Sequence, residues 1–391
     1  MSKIIPHQEE KSDQITSTIE KFYSRFKITQ IAKATNMTKT KGISFQILFC
    51  YLISTIFSNK SAYQDYVINQ EDLNFSDKTF RNLLNDGRIN WSKFICLLSA
   101  KVWASVNHLT SEDRKVAYVI DDTMYVRKNA KKVELSAIHH DHAEKGKGKY
   151  KKGFKQLMLG ITDGNTFLPV NFSLQSAKKK NCEAREFDAR SNAYKRRERA
   201  QQSSTDVAIE LLKEALKYGA CAKYVLFDSW FSSPKMFHKI KELNLETVCM
   251  LKKAKTHYYE FENKMQDVKS IFTRCKKRPG RSRYLLSVLV NVVVDGKSIP
   301  LKLVYVRNRN KRNEYLVLAS TDISLSEDEI IKLYGKRWSI EVYFKMCKSH
   351  LRLAKYQGIS YDGIFAHSVT VAVAYMILLL FTATRKNLNS R

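Results

Sequence analysis

Three carboxylates stand out because of where they sit. The run KVAYVIDD is short, apolar and β-branched and closes on Asp121 and Asp122, and KYVLFD closes on Asp228 in the same way. A lone aspartate after a strand is usually a turn or N-cap residue. Two such strand ends in one α/β region point instead to a shared site, since sites collect in the loops at one edge of a sheet. Carboxylates held close together repel unless a divalent cation lies between them. Hard oxygen donors without a nearby Cys pair or His ladder favour Mg2+, with Mn2+ as a substitute. Two such ions suit phosphodiester chemistry, one activating the attacking oxygen and the other stabilising the leaving one.

A third acid lies in a helical region. Tyr334, Arg337, Glu341 and Lys348 are spaced three, four and seven apart. At ~100° per residue they share a stripe about 60° wide. Trp338, Ile340 and Phe344 flank that stripe, which predicts a packed helix rather than a solvated charged face. Ser326-x-x-Glu329 is a capping box that opens this region, which runs to about His350 with a break expected at Gly335. His139, His140, Asp141 and His142 also crowd together, but consecutive residues cannot easily all turn toward one ion, so a solvated loop is expected there.

The elements that must position these groups fall into two parts. Residues from about 15 to 110 read as helical. Ile28, Ile31, Ala32 and Ala34 form an apolar face before a Thr/Asn-rich bend. Ile43 to Ile56 is a second apolar segment, and a third begins near Ser76 with Asp77, Phe80, Leu83 and Leu84. Helix–bend–helix in a basic protein predicts a DNA-binding region over residues 1–110.

Residues 111–391 alternate strands and helices, the pattern of an α/β domain. Asp163-Gly164-Asn165 sits between the strand-like runs KQLMLGIT and TFLPVNFSL as a hairpin turn, and Asp295-Gly296 marks another. The second hairpin belongs to an all-β insert over about 255–322. Gly363 to Thr384 carries no charge but includes His367, Ser368, Thr370, Tyr375 and Thr382. It is expected to be a core helix buried against the sheet rather than a membrane span.

Charge narrows the function. Lys and Arg number 68 against 38 Asp and Glu, a net +30, in a chain of 391 residues with only 13 Gly and 5 Pro. Collagen-like, low-complexity and wholly disordered classes are excluded. Basic residues cluster at Arg127 to Lys155, Lys178 to Arg199, Arg274 to Arg283 and Arg307 to Arg312, and are read as phosphate contacts. Seven cysteines without a Cys-x2-Cys pair and a start lacking an apolar run fit a reduced compartment, here cytoplasmic and nucleoid-associated. No Gly-rich phosphate loop points to nucleotide hydrolysis.

The motif Tyr-x2-Arg-x3-Glu-x6-Lys, written YGKRWSIEVYFKMCK, resembles the signature of cut-and-paste insertion-sequence transposases of the DDE class. IDDT at 120–123 resembles that family's first acidic strand, and VLFDSWFSSP at 225–234 its second. The resemblance implies an RNase H-like catalytic domain over 111–391 with a β-rich insertion. It implies Asp121, Asp228 and Glu341 as catalytic, metal-binding acids, with Asp121 preferred over Asp122 by motif register. Tyr334, Arg337 and Lys348 would contact DNA phosphates. It further implies binding of transposon inverted repeats and target DNA, a homodimer on that DNA, and cleavage that joins a 3′-OH to the target. The competing readings are a transposase-derived DNA-binding protein (a repressor or scaffold) without catalysis, and a hydrolytic nuclease of the same fold.

Overall fold

The computed structural model describes residues 8–38, 41–107, 111, 114–141, 150–177, 187–280, 282–308, 311 and 313–389; at 8–12 and 383–389 it describes the backbone alone. His142, Cys182 and parts of the basic runs lie outside the described residues.

Six helices come first: α1 (Gln8–Arg25), α2 (Ile28–Ala34), α3 (Phe45–Phe57), α4 (Ala62–Asn69), α5 (Asp77–Leu84) and α6 (Trp91–Asn107). Their starts follow local chemistry. Ser44 accepts from the Ile47 amide, and Ser61 with Gln64 closes a capping box. Strands β1 (Ala117–Val126), β2 (Ala137–His140), β3 (Tyr150–Thr162) and β4 (Phe167–Gln175) follow, then α7 (Asn192–Gln201), α8 (Ser204–Lys217), β5 (Tyr224–Phe227), α9 (Pro234–Lys241) and β6 (Glu246–Met250).

Strands β4, β3, β1, β5 and β6 lie side by side in that order. The first three are antiparallel, and β5 and β6 run parallel to β1. This is the expected RNase H-like arrangement. The β3–β4 turn forms where the sequence predicts it, with Asp163 Oδ1 accepting from the amides of Asn165 at 2.9 Å and Thr166 at 2.7 Å.

The insertion comprises β7 (Tyr259–Phe261), β8 (Lys264–Gln266), α10 (Val268–Arg274), β9 (Leu286–Val294), β10 (Lys297–Arg307) and β11 (Tyr315–Ser320). It is not all-β. Asp267 accepts from the amides of Lys269 and Ser270, which starts α10 and turns Val268 and Ile271 inward. The Asp295-Gly296 turn has positive φ at both residues, 50° and 75°, as a two-residue hairpin of matching twist requires. β11 pairs with β6 through Leu318↔Met250, so the insertion continues the main sheet.

Two further helices, α11 (Glu327–Gly335) and α12 (Trp338–His350), lead to α13 (Tyr361–Asn389). α13 is long and apolar enough to cross a membrane by length and composition alone, yet 72% of its apolar window is buried inside the protein. The sheet is not its main neighbour, contrary to expectation. It packs chiefly against α3, α5 and α6 and touches the sheet at β4, where Phe365 stacks on Phe172 at 4.4 Å. Its uncharged surface is covered because apolar helices from the N-terminal part supply most of the cover, so both parts of the chain share one core.

Candidate functional site

Asp121 and Asp122 lie within β1, not at its end as the sequence predicted. β3 pairs along the whole strand to Val126↔Gly153, whereas β5 pairs only through Val119↔Leu226. The acids therefore occupy the stretch where β1 has lost one neighbour but keeps the other. Continuing the β1–β5 register by two residues brings Asp121 opposite Asp228, the residue just after β5. Paired residues of parallel strands point to the same face, so Asp122 faces the opposite one. There its carboxylate meets Lys155 Nζ at 3.6 Å.

Helices α11 and α12 cross the Asp121 face. Ser326 and Glu329 form the expected capping box, with the Ser326 amide donating to Glu329 at 2.9 Å. At Lys336 and Arg337 the helical ladder tightens to i→i−3 hydrogen bonds, with both residues still right-handed, so the break falls just after Gly335. Glu341 and Lys348 remain together on α12.

Arg337 joins the acids. Its Nη1 donates to Asp121 Oδ2 at 2.8 Å and its Nη2 to Glu341 Oε1 at 2.5 Å. Tyr334 lies beside it, with the guanidinium carbon 5.9 Å from the ring centre. Lys348 Nζ donates to Thr123 Oγ1 at 2.6 Å, two residues along β1 from Asp121. All six predicted residues thus meet one face of the sheet or the adjoining end of β5.

Electrostatics set this face apart. Burial pushes the Asp121 carboxyl up to about 7, against the pull of Arg337 and with the help of the Asp228 and Asp122 charges. Burial also raises the Tyr334 phenol to about 12. Desolvation lowers the Lys348 ammonium, with Asp141 opposing and Lys151 assisting. Arg337 is held charged more firmly than usual, because Tyr334, Asp121 and Glu341 outweigh its own burial.

A divalent cation was expected here. Among the described residues, no three His, Cys, Asp or Glu side chains are gathered closely enough to hold a metal. Asp121 and Asp228 fit a hard cation by donor type and by their opposed position; burial first, and then the Asp228 and Asp122 charges, raise Asp121. Glu341 is instead engaged by Arg337.

Other expectations change. His139 and His140 are not in a solvated loop; they lie on β2, paired with Lys151 and Tyr150, because β3 extends past β1 and takes β2 as a partner. Much of the basic charge supports the fold instead of waiting for phosphate. Arg127 is buried and donates to the Gly358 carbonyl at 2.9 Å. Arg196 and Arg197 are buried against Asp362 and Glu134, and Arg199 pairs with Glu210 and Glu214. Sequence reading gave no role to Trp230 or Lys252 and placed Lys155 among the phosphate contacts; both lysines lie over the Trp230 ring, whose amide donates to Asp228 Oδ1. The one available signal was Trp230 itself, two residues after the acid.

The model of the DDE superfamily endonuclease family matches residues 69–292, which include Asp121 and Asp228 and stop short of Glu341. No curated protein matches the chain. Among solved structures, the chain is similar to the Drosophila P element transposase strand transfer complex at 11% identity and a TM-score of 0.25, covering 57% of this chain and 47% of that one. The chain thus spans less than half of that relative. With more than half of its length matched, and both strand-borne acids inside the match, the chain belongs to the DDE superfamily endonucleases.

Proposed function

We propose that this protein is a transposase that binds the inverted ends of its insertion sequence, cleaves DNA and joins the freed 3′-OH to target DNA. What supports the reading is the register that brings Asp121 opposite Asp228 inside the family-matched segment, with Glu341 tied to Asp121 through Arg337. Asp121, Asp228 and Glu341 would hold Mg2+ or Mn2+, which would supply positive charge at the attacked phosphate and a more acidic water. In the cleavage step water adds to phosphorus and the P–O3′ bond breaks, leaving a 5′-phosphate and a 3′-hydroxyl. In joining, that hydroxyl attacks a target phosphodiester and displaces another 3′-hydroxyl, so bonds balance. Arg337, Tyr334 and Lys348 face the incoming DNA. Arg337 would exchange its carboxylates for a phosphate, for which its planar fork is equally suited. The helical residues 1–110 would hold duplex DNA, two copies would act together on paired ends, and the protein would work at the nucleoid.

The test is strand transfer. A duplex bearing the inverted repeats that flank the gene, incubated with Mg2+ and supercoiled plasmid, should yield joined product with the wild type. Asp121→Asn, Asp228→Asn and Glu341→Gln should each yield none while still binding the duplex. Binding without cleavage by the wild type would favour the DNA-binding scaffold, and cleavage without joining the nuclease.

A further inference from the structure

A cavity of about 800 Å3 lies between the helical region and the connector from α12 to α13, and none of the six site residues lines it. Its walls come from α3, α4, α5, residues 352–360 and α13. Sites for small organic ligands usually measure about 300–1,000 Å3. Leu52, Ile56, Phe80 and Leu84 form an apolar floor, and all four are buried. Among the described residues no carboxylate lines the cavity, whereas Lys60, Arg81, Arg352 and Lys355 do.

Those four cations are unequally compensated. Lys60 approaches Asp65 at 3.5 Å, and Arg81 pairs with Asp77 at 3.2 Å. Arg352 meets neutral acceptors instead: its Nη1 donates to the Asn59 carbonyl at 2.6 Å and to Asn59 Oδ1 at 3.0 Å. Among the described residues, neither Arg352 nor Lys355 pairs with a carboxylate. The connector presents both from a disfavoured backbone. Arg352 and Ala354 have φ of 60° and 68°, the left-handed region in which a side chain crowds its own carbonyl. The Lys355 amide donates to the Arg352 carbonyl at 3.0 Å, and a ring nitrogen of His367 lies 3.1 Å from that same oxygen. Burial, with the charges of Arg352 and Arg127, lowers His367 to about 4 against the pull of that carbonyl. The histidine is therefore neutral near pH 7, and its ring stacks on Tyr356 at 5.4 Å.

We infer that the cavity binds an amphipathic organic anion, with its apolar body on Leu52, Ile56, Phe80 and Leu84 and its acidic head on Arg352 and Lys355. The head is a carboxylate or a phosphate, since a guanidinium and an ammonium hold either by charge-assisted hydrogen bonds. Duplex DNA supplies phosphates but keeps its bases stacked away from such a floor, so it satisfies only the cationic part. A bound anion would tie α3, α4 and α5 to the connector that follows α12. The inference goes beyond the transposition reading and does not depend on it.

The probe is anilinonaphthalene sulfonate, a small aromatic anion whose fluorescence rises out of water, titrated into the full chain. Binding should saturate with a single probe per chain. Phenylnaphthylamine, the same rings without the sulfonate, should bind more weakly. Lys355→Gln should weaken the sulfonate by about tenfold and leave the neutral compound nearly unchanged. Ala62→Trp, which places an indole on a residue of the cavity wall, should weaken both. Lys355 is exposed, so its variant keeps the test decisive if Ala62→Trp does not fold. Octyl phosphate and octanoate should displace the probe, the tighter of them naming the head group, and octanol should not. Unchanged probe affinity in Lys355→Gln would overturn the inference, as would equal binding of the neutral compound. Fluorescence that appears only as urea loosens the chain would overturn it too, because this probe also stains loosely packed states. Release of the probe by a short duplex, and not by octyl phosphate, would assign the cationic wall to DNA and remove the small ligand.

Discussion

Two arginine–carboxylate clusters in this molecule use the same groups to opposite ends. In the first, Arg196 and Arg197 of α7 converge on Asp362 at the start of α13, at 2.5 and 2.8 Å, and Arg197 also pairs with Glu134 at 2.6 Å. The side chains of Arg196, Arg197 and Asp362 are 6, 8 and 3% exposed. In the second, Arg337 forks between Asp121 and Glu341, whose side chains are 18 and 34% exposed. The stoichiometry differs more than the geometry. Two guanidiniums share Asp362 and Glu134, whereas one guanidinium serves Asp121 and Glu341 with Asp228 close by. Burial raises both aspartates, yet Asp362 ends below the ordinary carboxylate range because Arg196 and Arg197 outweigh it, and Asp121 ends at about 7. A neutral, sealed cluster is a strut, whereas the acid-rich, half-open one holds more carboxylates than guanidiniums.

The largest expected effect tests the strut. Asp362→Ala leaves two buried guanidiniums without their shared partner, so unfolding stability should drop by about 3–5 kcal/mol in denaturant titration. The sign with pH follows from the lowered pKa: the contribution of Asp362 is complete above the unfolded value and is lost as pH falls through the folded one. A loss under about 1 kcal/mol would mean that the cluster is no strut. The helix–helix and sheet contacts would then hold α13 by themselves.

Asp121 carries the opposite sign. Its folded pKa of about 7 exceeds the ordinary value of 3.8, so the stability it contributes is complete below pH ~4 and disappears as pH rises to about 7. Asp121→Asn should flatten that decline and leave the metal-free variant more stable than wild type at pH 8, by on the order of 2 kcal/mol. Adding Mg2+ at pH 8 should raise the melting temperature of the wild type and not of the variant, since a ligand of the native state stabilises by mass action. A wild type insensitive to Mg2+ would sink the assignment of Asp121 as a cation ligand.

The sequence shows these two clusters unequally. Arg337, Glu341 and Lys348 are legible because helical spacing is local, and Asp228 because KYVLFD ends where β5 ends. The Asp163 and Asp295 turns and the Ser326 cap are legible for the same reason: a few adjacent residues satisfy their own backbone. The strut is invisible in sequence. Arg196 meets Asp362 across 166 residues, and nothing near Arg196 marks it as buried. The extent of β1 is equally non-local, because β3 decides how far the strand continues past its acids. Charge counting alone therefore assigns to DNA several arginines that the fold consumes.

The smallest effect on stability should come from Glu341→Gln, and it separates the clusters most sharply. The Arg337–Glu341 pair joins the N-cap of α12 to its first turn, partly solvated, and such pairs contribute about 0.3–1 kcal/mol. Gln keeps the side-chain length and an oxygen that can accept from Arg337 Nη2, so the local geometry has little reason to change. Unfolding stability should shift by less than about 1 kcal/mol, while nicking of supercoiled plasmid in Mg2+ should disappear. A stability loss near that of Asp362→Ala would show that Arg337 and Glu341 brace α12 against β1. Loss of nicking would then follow from a displaced helix. A stable variant that still nicks would leave Asp121 and Asp228 as a two-acid site and remove α12 from the chemistry.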